Sequence, residues 1–320
     1  MGLTRWLRRY DIDRLDQRDP ERVDLAYRLL HGLLERYFRA EVRGIDRMPP
    51  GAALVVGNHN ALIMTPESFL FGFAVYRERG LEDVPYGLGH EWAIRLPFFN
   101  QIVVPLGAVR AGHGTAQKLF ALGRKVLVFP GSDIDAFRSW WDRDRICFGG
   151  RTGYVRLALA TGVPIVPMVA AGAQETLIVL TDGQWIARAL HLDRLIRVKG
   201  WPIALGLPWG LMLAPVPFLP WPSRILIEVL PPIRFPRSGP EAAADKAYVA
   251  ECAAVVEDAM QAALTRLASP NSRHGLPSRP SLEGHPTSAT GRPLTHGPKT
   301  LIPGLRVGFV VDRSYPPARR

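Results

Sequence analysis

Cysteine is scarce: Cys147 and Cys252 are the only two in 320 residues. They form no CxxC pair and stand near no histidine cluster at metal-ligand spacing. The sequence therefore suggests neither a disulfide framework nor a metal site, and both thiols read as packed or surface groups. The first twenty residues lack the apolar stretch of a secretory signal peptide and carry Arg5, Arg8, Arg9, Asp11, Asp13 and Arg14 instead. A protein facing the cytoplasm is the expectation. Charge is missing altogether from Trp201 to Pro222, a length sufficient to cross a bilayer. However, Pro202, Pro208, Pro215, Pro217, Pro220 and Pro222 would break a spanning helix repeatedly. With Trp201, Trp209 and Trp221 spread along it, the stretch reads as an interfacial or re-entrant segment, or as an apolar lid or groove wall inside the protein.

What is present points to one large core with additions at each end. Hydrophobic residues make up 47% of the chain and charged ones 22%, enough for a single catalytic domain. The net charge of +11 favours anionic partners: nucleic acid, anionic headgroups or phosphorylated substrates. Three regions follow from composition: an N-terminal amphipathic region over 1–40, a domain over 41–268, and a Ser-, Pro- and Arg-rich tail over 269–320 expected to be disordered.

Asp19-Pro20-Glu21 combines an N-cap, a first-turn proline and an acid suited to the helix dipole. A helix follows, with Leu25, Leu29, Leu30, Leu33, Leu34, Tyr37 and Phe38 on one face. That face suits either the domain core or a membrane surface. Apolar runs at Ala53–Val56, Ile102–Pro105, Lys125–Phe129, Pro164–Val169 and Ile225–Leu230 predict strands. Helical patterns at Thr115–Leu122, Thr152–Ala160 and Ala242–Leu267, with a helix start at Thr65-Pro66-Glu67, lie between or after them. The alternation predicts an α/β fold, a mostly parallel central sheet flanked by helices.

Val56-Gly57-Asn58-His59-Asn60 places a histidine just beyond a predicted strand. The C-terminal edge of such a sheet is where ligands bind. Imidazole there can take a proton from an attacking hydroxyl near neutral pH, although a hydrogen-bonded structural histidine fits the same pattern. Val128-Phe129-Pro130-Gly131 and Gly162-Val163-Pro164-Ile165-Val166-Pro167-Met168 are two further strands bounded by proline or glycine. In this order the three segments resemble the glycerolipid acyltransferase superfamily over roughly 54–233. Their motif style is similar to its monoacylglycerol and diacylglycerol acyltransferase-related branch.

The resemblance implies that His59 is a general base and that an acid orients its ring. The common Asn-His-x4-Asp spacing fails, because Met64 occupies the acid's position. Glu67 takes the orienting role instead, with an ordinary helix-dipole acid as the alternative. Asn58 is expected to fix the His59 loop. Arg110 is a candidate for an acceptor oxyanion or else a solvated loop arginine. The usual Phe-Pro-Glu-Gly becomes Phe129-Pro130-Gly131-Ser132-Asp133. Asp133 or Asp135 then stands as replacement for the glutamate, and backbone N–H groups near Gly131 as oxyanion donors, against a plain turn. His90 is a second candidate histidine or a structural one. Arg138, Arg143, Arg145, Arg151 and Arg156 around Trp140 and Trp141 suit single-stranded nucleic acid, coenzyme A phosphates or lipid headgroups; the motifs favour lipid.

The function so implied is O-acyl transfer in glycerolipid or phospholipid biosynthesis, without metal or bound organic cofactor. Acyl-CoA or an acyl carrier protein thioester serves as co-substrate and a lipid hydroxyl as acceptor. The protein would sit at the cytoplasmic face of a membrane, peripheral or monotopic, through its amphipathic helix and 201–222. A non-catalytic lipid-binding or scaffold protein on this fold is the alternative, and nucleic-acid binding a third reading that leaves the motif order unexplained.

Overall fold

A computed structural model describes residues 9–62, 64–195, 200–213, 216 and 218–269. The tail over 270–320 lies outside them, as do Pro215 and Pro217 of the uncharged stretch. Helix α1 (Pro20–Tyr37) begins as its cap predicts, with the Asp19 side chain accepting the backbone N–H of Glu21 at 3.0 Å and of Arg22 at 3.3 Å. Strand β1 (Glu41–Arg43) follows, then β2 (Ala53–Gly57) and α2 (Pro66–Arg79). Next come β3 (Tyr86–Gly89), α3 (Glu91–Ile94), α4 (Phe99–Leu106) and β4 (Ala108–Arg110). After α5 (His113–Ala121), β5 (Lys125–Val128) and α6 (Ser132–Ala136), α7 (Gly153–Thr161) leads into β6 (Ile165–Ala171). The remainder comprises β7 (Ile178–Thr181), α8 (Gln184–Ala189), α9 (Leu192–Leu195), β8 (Ile203–Gly206), β9 (Gly210–Leu213), β10 (Leu226–Val229), α10 (Pro240–Ala244) and α11 (Lys246–Leu267).

The central sheet has seven strands in the order β1-β10-β6-β2-β5-β3-β4. Strands β6, β2, β5, β3 and β4 are mutually parallel, whereas β10 runs antiparallel to β6. The fold is thus α/β with a mostly parallel sheet, and alternation along β2 explains its layers. Leu54 and Val56 pack toward residues of α5, α7 and α11, while Ala53 and Val55 pack toward Leu70, Phe71 and Val75 of α2. Each fully buried aliphatic side chain of this kind contributes about 1.5 to 3 kcal/mol.

Two expectations are corrected. Ile102–Pro105 is helical, not extended, within α4. Its β-branched residues are placed by burial rather than propensity: Val103 and Val104 pack with Ile12 and Ile94. Pro105 has no N–H for the Gln101 carbonyl, and the Arg22 guanidinium donates to that carbonyl instead at 3.2 Å. Thr65 precedes α2 as expected but is no side-chain cap; it adopts a left-handed backbone with φ of 36°.

The uncharged stretch forms strands, with β8 pairing antiparallel to β7 and to β9 in a second sheet. One face buries Ala204, Met212 and Phe218 together with Ala61, Leu62 and Phe137. The other exposes Trp209, Leu211, Leu213 and Leu219. Among the described residues no helix is long and apolar enough to cross a membrane.

Candidate active site

Strands β2, β5 and β6 end at a common edge, and β2 delivers Asn58 and His59 there. Asn58 extends the β2 ladder with its side chain. Its Oδ1 accepts the Ala170 N–H at 2.8 Å and its Nδ2 donates to the Ala170 carbonyl at 2.9 Å. An amide is needed, because only an amide matches both groups of a neighbouring strand. Gly57 is required by close packing: a Cβ would stand 2.6 Å from the side chains of both Met168 and Phe129.

The His59 ring lies 4.9 Å from the Phe129 ring between centroids and is 18% exposed. Burial lowers its pKa to about 4, so the imidazole is neutral and able to accept a proton at pH 7. Nδ1 is 3.9 Å from Glu67 Oε1 and 3.3 Å from the Asn60 carbonyl. Glu67 is fully buried at the start of α2, where its Oε1 accepts the Asn60 N–H at 3.0 Å. Its Oε2 has no hydrogen-bond partner among the described residues, and burial raises the carboxyl to about 8.

The turn after β5 faces this loop. Ser132 N–H donates to the Phe129 carbonyl at 3.0 Å, and is therefore committed to the turn. The Pro130 and Gly131 carbonyls lie at 3.4 Å and 2.7 Å from Arg151 Nη1, which donates to them. Arg151 also grips Asp133 at 2.6 Å. The structure gives a reason why glutamate is missing at 131: a Cβ there would stand 2.3 Å from the Asp135 Cβ and 2.5 Å from the Cys147 carbonyl. Asp135 has taken that space. It is fully buried and accepts the His59 backbone N–H at 2.6 Å, out of reach of an acceptor headgroup. Burial raises its carboxyl to about 6 even with Arg138 beside it.

Beside His59 opens a cavity of about 260 Å³. Phe129, Ser132 and Asp133 line it near the ring, Phe69, Gly72 and Phe73 of α2 form one wall, and Gly87, Trp92 and Val103 another. Val23 of α1 also lines it. His90 is part of the lining, with its ring 6.2 Å from that of Trp92. No described residue of 201–222 lines the cavity.

Of the residues singled out from sequence, Asn58, His59, Glu67, Phe129, Pro130, Gly131 and Asp133 converge. Arg110 does not. Its guanidinium pairs with Asp13 and, at 3.6 Å, with Glu91, and it is not among the cavity's lining residues. Two buried residues escaped the sequence reading as site groups. Arg138 appeared there only as one of a basic cluster, and Gln174 not at all; both bond to the His59 loop. Among the described residues no cluster of His, Cys, Asp or Glu is arranged to hold a metal ion.

Residues 39–171, which contain every converging residue, match the family described as Acyltransferase. An uncharacterized protein of Mycobacterium tuberculosis is 31% identical over 206 residues, covering 64% of this chain and 55% of that one. A mouse protein described as a DGAT1/2-independent enzyme synthesizing storage lipids is 24% identical over 135 residues, 42% of this chain and 40% of its own. The chain spans about half the length of the curated relatives it matches. The crystal structure of the 1-acyl-sn-glycerophosphate acyltransferase of Thermotoga maritima aligns at 15% identity with a TM-score of 0.43, over 76% of this chain and 82% of that one.

Proposed function

The chain carries an acyltransferase-family domain at residues 39–171, of the superfamily its motifs resemble, and from that premise we propose that it moves an acyl chain from a thioester donor to a lipid hydroxyl at a membrane surface. The observation that carries this reading is the neutral, partly accessible His59 ring beside an apolar cavity. His59 takes the proton of the acceptor hydroxyl as the oxygen attacks the thioester carbonyl. Glu67 orients the ring and balances the imidazolium. The thiolate of the donor then leaves as the tetrahedral intermediate collapses, and His59 returns its proton to the departing sulfur. The Gly131 N–H, which has no acceptor among the described residues, serves as an oxyanion donor; one well-placed donor is worth roughly 3 to 4 kcal/mol.

The acyl chain occupies the cavity between α2, β3 and α4. An apolar wall suits it, because each buried methylene contributes about 0.8 kcal/mol. Donor and acceptor reach the site from a lipid surface. Supporting this, Leu25, Leu29 and Leu33 of α1 form an exposed stripe, and Trp209, Leu211 and Trp221 add exposed apolar area near the second sheet. We assign that surface to the cytoplasmic leaflet, where the net charge of +11 meets anionic lipid. Acyl-CoA or an acyl carrier protein presents the chain, and no metal or organic cofactor takes part.

The 3.9 Å between His59 and Glu67 favours one rival, a lipid-binding protein on this fold without catalysis. Purified protein incubated with labelled long-chain acyl-CoA and a panel of monoacylglycerol, diacylglycerol and lysophospholipid acceptors separates them. Labelled ester on at least one acceptor supports transfer. Retention of intact acyl-CoA with every acceptor would favour the rival.

A further inference from the structure

The loop that carries His59 is held in a conformation that its residues do not favour. Ala61, Leu62 and Thr65 all have positive φ, at 52°, 56° and 36°, and none is glycine. Across the site, Ser132 is likewise left-handed with φ of 46°. Side-chain-bearing residues stay in this region only where their surroundings over-determine it, and they gather at functional sites. A buried polar clamp from outside the loop holds the residues that lead into this stretch, His59 to Ala61.

The clamp grips the loop residue by residue. Asp135 Oδ2 accepts the His59 N–H at 2.6 Å, and Arg138 Nη1 donates to the His59 carbonyl at 2.8 Å. Arg138 Nη2 donates to Asn60 Oδ1 at 2.6 Å. Gln174 Oε1 accepts the Ala61 N–H at 3.0 Å, and Gln174 Nε2 donates to the Arg138 carbonyl at 2.9 Å. Asp135 and Arg138 pair with each other at 2.7 Å. Asp135, Arg138 and Gln174 are all buried, and none lines the cavity beside His59.

We propose that Asp135 and Arg138 are positioning residues for acyl transfer, fixing both backbone polar groups of His59 so that its ring meets the acceptor hydroxyl. The proposal rests on His59 being the base. A buried ion pair is a weak source of stability, since desolvating two charges offsets most of their attraction. Its worth lies in geometry. An apolar pair of the same volume would leave the His59 N–H and carbonyl without partners and let the start of the loop shift. A displacement of about 1 Å in a reacting group lowers rate about 10²-fold. Gln174 completes the clamp one residue farther along, with a neutral side chain.

The test uses the full chain, a labelled acyl-CoA and an acceptor on which wild type is active. Asp135→Asn and Arg138→Lys should each lower kcat about 10²-fold while KM stays within about twofold. In a His59→Ala background neither should lower the residual rate further, because the clamp acts through the imidazole. Wild-type kcat in folded Asp135→Asn and Arg138→Lys would overturn the proposal, as would an equal loss in the His59→Ala background. Should both charged variants fail to fold, Gln174→Met decides, since it strands no charge. A kcat lowered about tenfold at unchanged KM supports the clamp, and unchanged kcat overturns it. Undiminished activity of His59→Ala would instead sink the reading of His59 as base, a result distinct from an active clamp variant beside an inactive His59→Ala.

Discussion

Glu67 Oε1 stands 3.9 Å from Nδ1 of His59 while it accepts the N–H of the next residue, Asn60, at 3.0 Å. One buried carboxyl therefore binds the loop while standing next to the ring. The distance to the ring is longer than a hydrogen bond, as is common before a substrate tightens a catalytic pair. Met64, where the more frequent motif has its acid, packs with the apolar cluster behind the loop instead. The left-handed residues between His59 and α2 lengthen the path, and Glu67 reaches back across it from the first helical turn.

Glu67→Gln should keep the start of α2 and, through its one oxygen, the Asn60 hydrogen bond, but it removes the negative charge beside the ring. The imidazolium formed during turnover then lacks a counter-charge. Turnover should fall on the order of 10²-fold or more, with the melting temperature changed little. Steady-state kinetics beside thermal melts checks this. Wild-type turnover would remove Glu67 from the mechanism.

Activity and stability should respond to pH in opposite directions between about 6.5 and 8. His59, lowered to about 4, is neutral throughout that range. Glu67, raised from 4.5 to about 8, ionises across it, so turnover should climb as its carboxylate forms. A raised carboxyl binds its proton more tightly when folded, so its contribution to stability is complete below about 4.5 and lost as pH rises through about 8. His59 has the reverse sign: its contribution is present above 6.5 and lost as pH falls through about 4. Asp135, raised to about 6, has largely titrated before this window. Melting temperature should therefore decline from pH 6.5 to 8.5 in wild type and flatten in Glu67→Gln. Parallel slopes in the two proteins would contradict the assignment.

The sheet was legible because β2, β5 and β6 are buried on both faces and read as continuous apolar runs. Asn58, His59 and Phe129-Pro130-Gly131 were legible as residues just past those runs. The clamp was not. Arg138 bonds to a loop 79 residues earlier and Gln174 to a residue 113 earlier, and no local spacing encodes such pairs. Asp135 lies in the region its motif indicates but turns its carboxyl to the His59 backbone N–H, and sequence cannot distinguish a carboxyl facing an acceptor from one facing the backbone. The stretch from Trp201 was ambiguous because its lack of charge suits both a membrane-facing segment and a small sheet with one buried face.

Gly72 offers a direct test of where the acyl chain lies. It lines the cavity from α2, and a Cβ there meets nothing within 4 Å. Gly72→Leu should fill cavity rather than clash, and should also favour the helix. In competition between acyl-CoA donors, preference should move to shorter chains. Each methylene excluded forfeits about 0.8 kcal/mol, or roughly fourfold in affinity. An unchanged length preference in a folded variant would place the chain elsewhere.

Leu29 and Leu33 are 65% and 62% exposed, one turn apart on α1. Leu29→Glu with Leu33→Glu should leave the melting temperature nearly unchanged, because neither side chain packs in the core. Sedimentation with vesicles of phosphatidylcholine and phosphatidylglycerol should fall severalfold. Equal sedimentation of wild type and variant would remove α1 from the membrane contact.

If His59 moves the proton, His59→Ala reveals it with least interference. The ring is partly exposed beside the cavity, and the clamp holds only the main chain of His59, which alanine retains. Turnover of labelled acyl-CoA onto the preferred acceptor should drop about 10²- to 10⁴-fold, with a melting temperature close to wild type. A folded His59→Ala protein that transfers acyl chains at the wild-type rate would contradict the mechanism at its root.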